Sequence, residues 1–241
     1  MKQLPVIDLL VLPPFVGFPR EGIKFLRQLK KNNNRDWFAN HKTEYEEFVK
    51  LPMQSLISTL QTPMMKLAPE FEFNPKRSMF RIHRDTRFSK DKTPYKTHVA
   101  AIFHPEGHWE ESAGFYLHIE PEEVYLGGGI YMPDGVQLKK IRTAIANRSG
   151  EFLSIVQGRT FKNRFGKLEG SKLQRNPQGF FQDHPMIEWL KYKQFFAGVS
   201  WKTDECFSPK FVEKIIAVYR DLLPFVQFFN ATLGNVEEVK R

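Results

Sequence analysis

Cysteine is all but missing from this chain of 241 residues: Cys206 stands alone. No disulfide can therefore staple the fold from within, and a reducing compartment, the cytoplasm by default, is the expected setting. Long apolar runs are missing too. No stretch approaches the roughly 18 to 20 uncharged residues that a membrane-spanning helix needs, so no membrane partner is expected. The short run Leu9 to Leu12 is bounded by Asp8 and by Pro13-Pro14, with no small-residue cleavage site, and does not read as a signal peptide. Catalytic signatures are equally scarce. There is no Walker loop, no Gly-x-Ser-x-Gly elbow beside Ser89 or Cys206, and no His-Glu-x-x-His. A metal site built from His83, His98 and His118 has no such motif behind it, so no metal and no cofactor is assigned.

What is abundant is aromatic and apolar. Phenylalanine occurs 23 times and apolar residues make up 41% of the chain, enough to exclude a disordered polymer and to predict an aromatic-rich core. The length suits one hydrophobic core. The expected organisation is an N-terminal extension over residues 1–14 and a single domain over 15–241, with no internal repeat and no flexible linker.

Periodicity divides that domain. Helical spacing predicts helices over Phe18 to Lys30, Arg35 to Lys50 and Pro52 to Lys66, with the Asn32-Asn33-Asn34 run as a stop between the first two. The period then shortens to two. Phe80 to His83, His98 to Phe103, Gly114 to Glu120 and Val124 to Tyr131 read as strands, the last two joined through Pro121-Glu122-Glu123 as a hairpin. Gly127-Gly128-Gly129 inside a strand predicts a bulge or a close approach to the backbone. A helix follows Pro133-Asp134, and residues 158–179 resist assignment. A short helix from Asp183 to Leu190, a strand from Phe195 to Trp201 and a helix opened by Ser208-Pro209, kinked or divided at Pro224, complete the pattern. The fold class expected is α+β: a central, mainly antiparallel sheet with helices from the N-terminal third and the C-terminus packed on it.

Charge is concentrated. Net charge is +9. Residues 76–98 hold eight lysines and arginines against two aspartates, a net +6, and residues 139–175 hold ten against two glutamates, a net +8. The densest part, Arg81 to Lys96, mixes Arg81, Arg84, Arg87, Lys90, Lys92 and Lys96 with Ser89, Thr93 and Tyr95. Forked guanidiniums and mobile ammoniums beside hydroxyls are the donors that bind phosphate or carboxylate. The expected ligand-binding set is Arg81, Arg84, Arg87, Ser89, Lys90, Lys92, Tyr95, Lys96 and Gly128. The competing reading ties Arg84, Arg87 and Lys90 to Asp85 and Asp91 in a rigid loop whose other charges face water. Strand alternation further places Tyr116, His118 and Glu120 on one face and Arg81 with His83 on another, and the two faces are expected to meet near His98. His83 and His118 are then the candidate general acid or base, since imidazole titrates near neutrality.

Several strings carry a resemblance: NNNRDWF (residues 32–38) with His41 and Tyr45, RIHRDTRFSKDKTPYK (81–96), Gly114-Phe115-Tyr116, Gly127 to Gly129 with Pro133, and Asp183-His184-Pro185. Over nearly the whole length, Phe15 to Asn230, the chain resembles the domain of unknown function 2461 family of bacterial proteins. That resemblance implies a single α+β domain and no particular reaction. The leading expectation is an anionic small-molecule partner, bound with or without catalysis. The alternatives are a nucleic-acid module using segments 76–98 and 139–175 as one basic stripe, or a protein-interaction scaffold.

Overall fold

A computed structural model of the chain describes residues 12–105, 107 and 111–234. Most of the expected N-terminal extension lies outside them. The N-terminal helices are α1 (Arg20–Lys31), α2 (Arg35–Asn40), α3 (Lys42–Tyr45) and α4 (Leu51–Leu67), the last two joined through one π-helical turn, Glu46–Lys50. The single helix expected over 35–50 is thus divided at His41. Each asparagine of the run has its own task. Asn32 ends α1, Asn34 accepts from the Trp37 N–H as the cap of α2, and Asn33 turns inward, as described below.

The sheet is antiparallel and ordered β1-β2-β3-β4: β1 (Val99–Phe103), β2 (Gly114–Ile119), β3 (Val124–Ile130) and β4 (Phe195–Trp201). Its register is unbroken. Val124 pairs with Trp201 and Ile130 with Phe195, with every residue between in step, so the triple glycine forms no bulge. The Phe80 to His83 alternation forms no strand either, only isolated bridges from Met79 to Ala101 and from His83 to Tyr95. Residues 71–80 instead run along the outer edge of β1, tied by Phe80 N–H to Ala100 O and Ile102 N–H to Ser78 O, both at 2.9 Å.

After the sheet's first three strands come α5 (Gly135–Asn147), α6 (Ser149–Val156), α7 (Arg159–Phe165) and α8 (Ile187–Leu190), with α9 (Phe211–Leu233) closing the fold. An Asp134–Gln137 capping box starts α5. Part of the unassigned connection is therefore helical, and the expected helix from Asp183 is only the four residues of α8. Helix α9 is one continuous element through Pro224. It covers one face of the sheet, where Phe115, Leu117, Ile119, Leu126, Phe195 and Ala197 are buried against Tyr219, Leu222, Val226 and Phe229 in a single core cluster reaching back to Phe15. Strand alternation sends Tyr116, His118 and Tyr125 to the other face.

Candidate functional site

Among the described residues no helix covers that other face of β2 and β3, and there the side chains build a cavity. Cross-strand pairing sets His118 beside Tyr125 and Gly127 beside Gly198. The paired glycines leave a trough that the molecule's own rings fill. A Cβ on Gly198 would sit 2.3 Å from the Tyr125 hydroxyl, and one on Gly127 would sit 2.6 Å from Phe196 Cε1 and 2.8 Å from Tyr125 Cε1. The close approach expected at this glycine run is therefore made by Tyr125 and Phe196. Those two rings lie nearly parallel, 6.2 Å apart and 14° inclined, and the Tyr125 hydroxyl donates to Glu169 at 2.8 Å. Above this floor the segment preceding β1 contributes Phe80, Lys96 and His98. The cavity, half open to solvent, has a volume of about 590 Å³ and is bounded also by Ile102, Tyr116, Glu123 and Tyr131, a volume that accommodates a small organic ligand.

The wall carries one unusual charge. Lys96 is half-buried with its ammonium 4.7 Å over the Phe80 ring, and among the described residues its side chain has no carboxylate partner. Burial first, and the nearby Arg81 second, push its pKa down. Both effects penalise the charged form and would be relieved by a bound anion. Next to it lies a pair of imidazoles, His98 and His118, with ring centroids 5.4 Å apart. Burial, then His118 and Lys96, hold His98 at about 4. Burial lowers His118 against the opposing pull of Glu120 and Glu123. Both rings are thus neutral bases at physiological pH. His118 Nδ1 is 3.2 Å from the Tyr116 hydroxyl, and its Nε2 is 3.5 Å from Glu123 Oε1. Burial pushes Tyr116 up to about 12, which keeps its proton in place near neutrality.

Of the expected ligand-binding and catalytic residues, Lys96 and His118 line this cavity, together with His98 and Tyr116, which the strand alternation had set near them; the other expected site residues are not in its wall. Arg81 is exposed but close enough to perturb Lys96. His83 is exposed outside the cavity, its ring 5.2 Å from Tyr95 and 6.5 Å from Phe38, so neither residue of the expected Arg81–His83 face lines the cavity, and Lys96 and His98 stand opposite Tyr116 and His118 instead. Gly128 faces helix α9, with Val226 3.1 Å from where a Cβ would stand, on the opposite side of the sheet. Tyr95 belongs to the core. Its ring stacks on Phe38 at 4.1 Å, and its backbone is clamped by Asn33, which donates from Nδ2 to Tyr95 O at 2.9 Å and accepts from Tyr95 N at 3.0 Å.

Arg84, Arg87 and Lys92 are satisfied within the basic loop itself. Arg84 pairs with Asp91 and donates to Thr93. Arg87 grips Asp85 through Nε and Nη2, and Lys92 Nζ donates to Thr86 O at 2.8 Å. The two aspartates are held at about 2, Asp85 chiefly by hydrogen bonds from Arg87 and Asp91 by the Thr93 N–H and then Arg84. Ser89 and Lys90 sit at the outer turn, Lys90 exposed. Arg84 and Arg87 are thus each held by an acid of their own. Two acids offset two arginines, as the competing reading of the sequence had it, although Lys90 pairs with neither among the described residues. The second basic segment is also engaged in the fold: Arg142 donates to Leu190 O and Tyr192 O, and Arg148, Arg164 and Lys172 pair with Glu151, Asp221 and Glu188.

Sequence reasoning passed over Tyr125, Phe196, Glu123 and Glu169. Tyr125 was within reach, since a four-residue hairpin connection fixes it opposite His118. Glu169 was not. It lies in the unassigned connection and is bridged to β4 at Phe196, with its N–H on Phe196 O at 2.7 Å.

Fold and cavity together define an α+β domain that carries a ligand-sized, aromatic-walled pocket on the uncovered face of a four-stranded antiparallel sheet. Residues 21–228 match the family model described as "Conserved hypothetical protein (DUF2461)". The chain belongs to that family, in agreement with the motifs that suggested it. No curated protein matches the sequence. No helix among the described residues is long and apolar enough to cross a membrane.

Proposed function

We propose that this protein binds a small anionic molecule with a flat apolar body in the cavity over β2 and β3, the anion meeting Lys96 and the flat body lying on Tyr125 and Phe196. The observation that carries the reading is the half-buried ammonium of Lys96, without a carboxylate partner among the described residues, in an aromatic-walled cavity. A buried charge without a partner is costly in the empty protein, so an incoming phosphate or carboxylate recovers that cost on binding. Arg81, exposed beside Lys96, adds a second positive charge at the rim. The rings supply area: aromatic surfaces at 4.5 to 7 Å favour offset stacking worth roughly 0.5–1.5 kcal/mol beyond burial.

The probe is phenyl phosphate, compared with phenol and inorganic phosphate by ligand-observed NMR. Phenyl phosphate is expected to bind more tightly than either half. Lys96→Met should reduce it to the level of phenol, whereas Arg84→Ala and Lys92→Ala should leave it unchanged. Equal weakening by the loop substitutions, or no effect of Lys96→Met, would refute the reading.

A further inference from the structure

The geometry points to a second element of this cavity: His118, Glu120 and Glu123 form a three-ligand site for one divalent transition-metal ion at the hairpin end. Their ligating atoms all lie within 4.8 Å of one another. The β-strand period puts His118 and Glu120 on one face, and the connection between β2 and β3 returns Glu123 to it, with Glu120 N–H bonded to Glu123 O at 2.9 Å.

The spacing within the cluster is informative. His118 Nε2 and Glu123 Oε1 are 3.5 Å apart, within ion-pair reach, yet Nε2, a buried atom, makes no well-formed hydrogen bond among the described residues. Two ligand atoms each about 2.1 Å from a tetrahedral ion stand about 3.4 Å from each other, so this gap matches an ion between the pair, while the 4.8 Å span of the whole cluster requires the Glu120 carboxylate to swing inward on binding. The far nitrogen of the ring is already engaged by the Tyr116 hydroxyl, the kind of outer hydrogen bond that orients a metal-bound histidine. His118 is only 18% exposed, and both it and Glu123 line the cavity, so an ion held there would keep an open position toward a bound ligand. One imidazole with two carboxylates suits zinc, manganese or iron(II) better than the all-oxygen sets of magnesium and calcium.

The proposal goes beyond anion binding and does not depend on it, because it is tested with metal alone. Calorimetry with Zn²⁺, and absorption spectroscopy with Co²⁺, are run on chelator-treated full-length protein in wild type, His118→Asn, Glu123→Gln and the neighbouring Glu122→Gln, each first shown to keep its melting temperature. The expected result is one-to-one binding in wild type and Glu122→Gln, with visible Co²⁺ bands, weakened at least tenfold by either ligand substitution. Long-range proton–nitrogen NMR of His118 is the second readout: with zinc present, Nε2 should carry the metal and Nδ1 the proton. No binding by wild type, binding indifferent to both ligand substitutions, or a proton retained on Nε2 at saturating zinc would each overturn the proposal.

Discussion

Replacing Gly127 by alanine tests how the cavity floor is built. The added methyl would stand 2.6 and 2.9 Å from two Phe196 ring carbons and 2.8 Å from Tyr125 Cε1, where carbon atoms ordinarily rest at about 3.5–4.0 Å. Both rings must lift by about 1 Å, against the Tyr125 hydrogen bond to Glu169. Overpacking of this kind costs about 1–3 kcal/mol. Losing Gly127's backbone freedom in the unfolded chain returns about 0.4–1 kcal/mol, leaving a net loss of about 1–2 kcal/mol. For a chain of this size that is a fall in melting temperature of roughly 2–8 °C, read by circular dichroism. The diagnostic comparison is Gly127→Ala in a Phe196→Ala background, where two of the three close atoms are gone and the substitution should be near neutral. Gly128→Ala, which faces Val226 across the sheet, should be insensitive to Phe196. The reasoning fails if Gly127→Ala destabilises both backgrounds equally, or stabilises the wild type.

Three further outcomes are expected. Asn33→Ala strips both hydrogen bonds from the Tyr95 backbone; at about 1 kcal/mol each, the melting temperature should fall by roughly 4–8 °C, with faster amide exchange across residues 82–96. His104, held at about 4 by burial, makes stability fall on acidification: between pH 6.5 and 4 the unfolded chain takes up a proton that the folded chain refuses. The shift caps this effect at about 3 kcal/mol, and partial exposure reduces it to about 1–2 kcal/mol, so urea unfolding of His104→Gln should show a flatter pH profile than wild type over that window. Cys206 is buried and pushed up to about 12, chiefly by burial, so its thiol should resist a disulfide-exchange reagent at pH 8 until the protein is unfolded.

Much of the fold was legible because it follows from side-chain periodicity. Phe115, Leu117 and Ile119 alternate with Tyr116 and His118, and that pattern alone fixes which face of β2 meets α9. Alternation misled at Phe80 to His83, because those residues pair only through isolated bridges at the sheet's edge and nothing local marks that difference. The loop misled in another way. A string of cations states charge and not direction, and whether Asp85 and Asp91 neutralise their neighbours depends on a turn geometry that spacing does not encode. Lys96 was legible as a cation but not as the one that turns into the cavity. Its position depends on the antiparallel return of the loop, with Lys96 N–H on Ile82 O and Arg84 N–H on Pro94 O. Glu169 was illegible because its place is set by contact with a strand 27 residues further along the chain.

The most direct test of the account is a crystal structure of the protein grown with phenyl phosphate. The phosphoryl oxygens should lie about 3 Å from the Lys96 ammonium, with the phenyl ring against Tyr125 and Phe196. Density for the anion on Arg84 and Arg87 at the outer loop, with the cavity left to solvent, would contradict it.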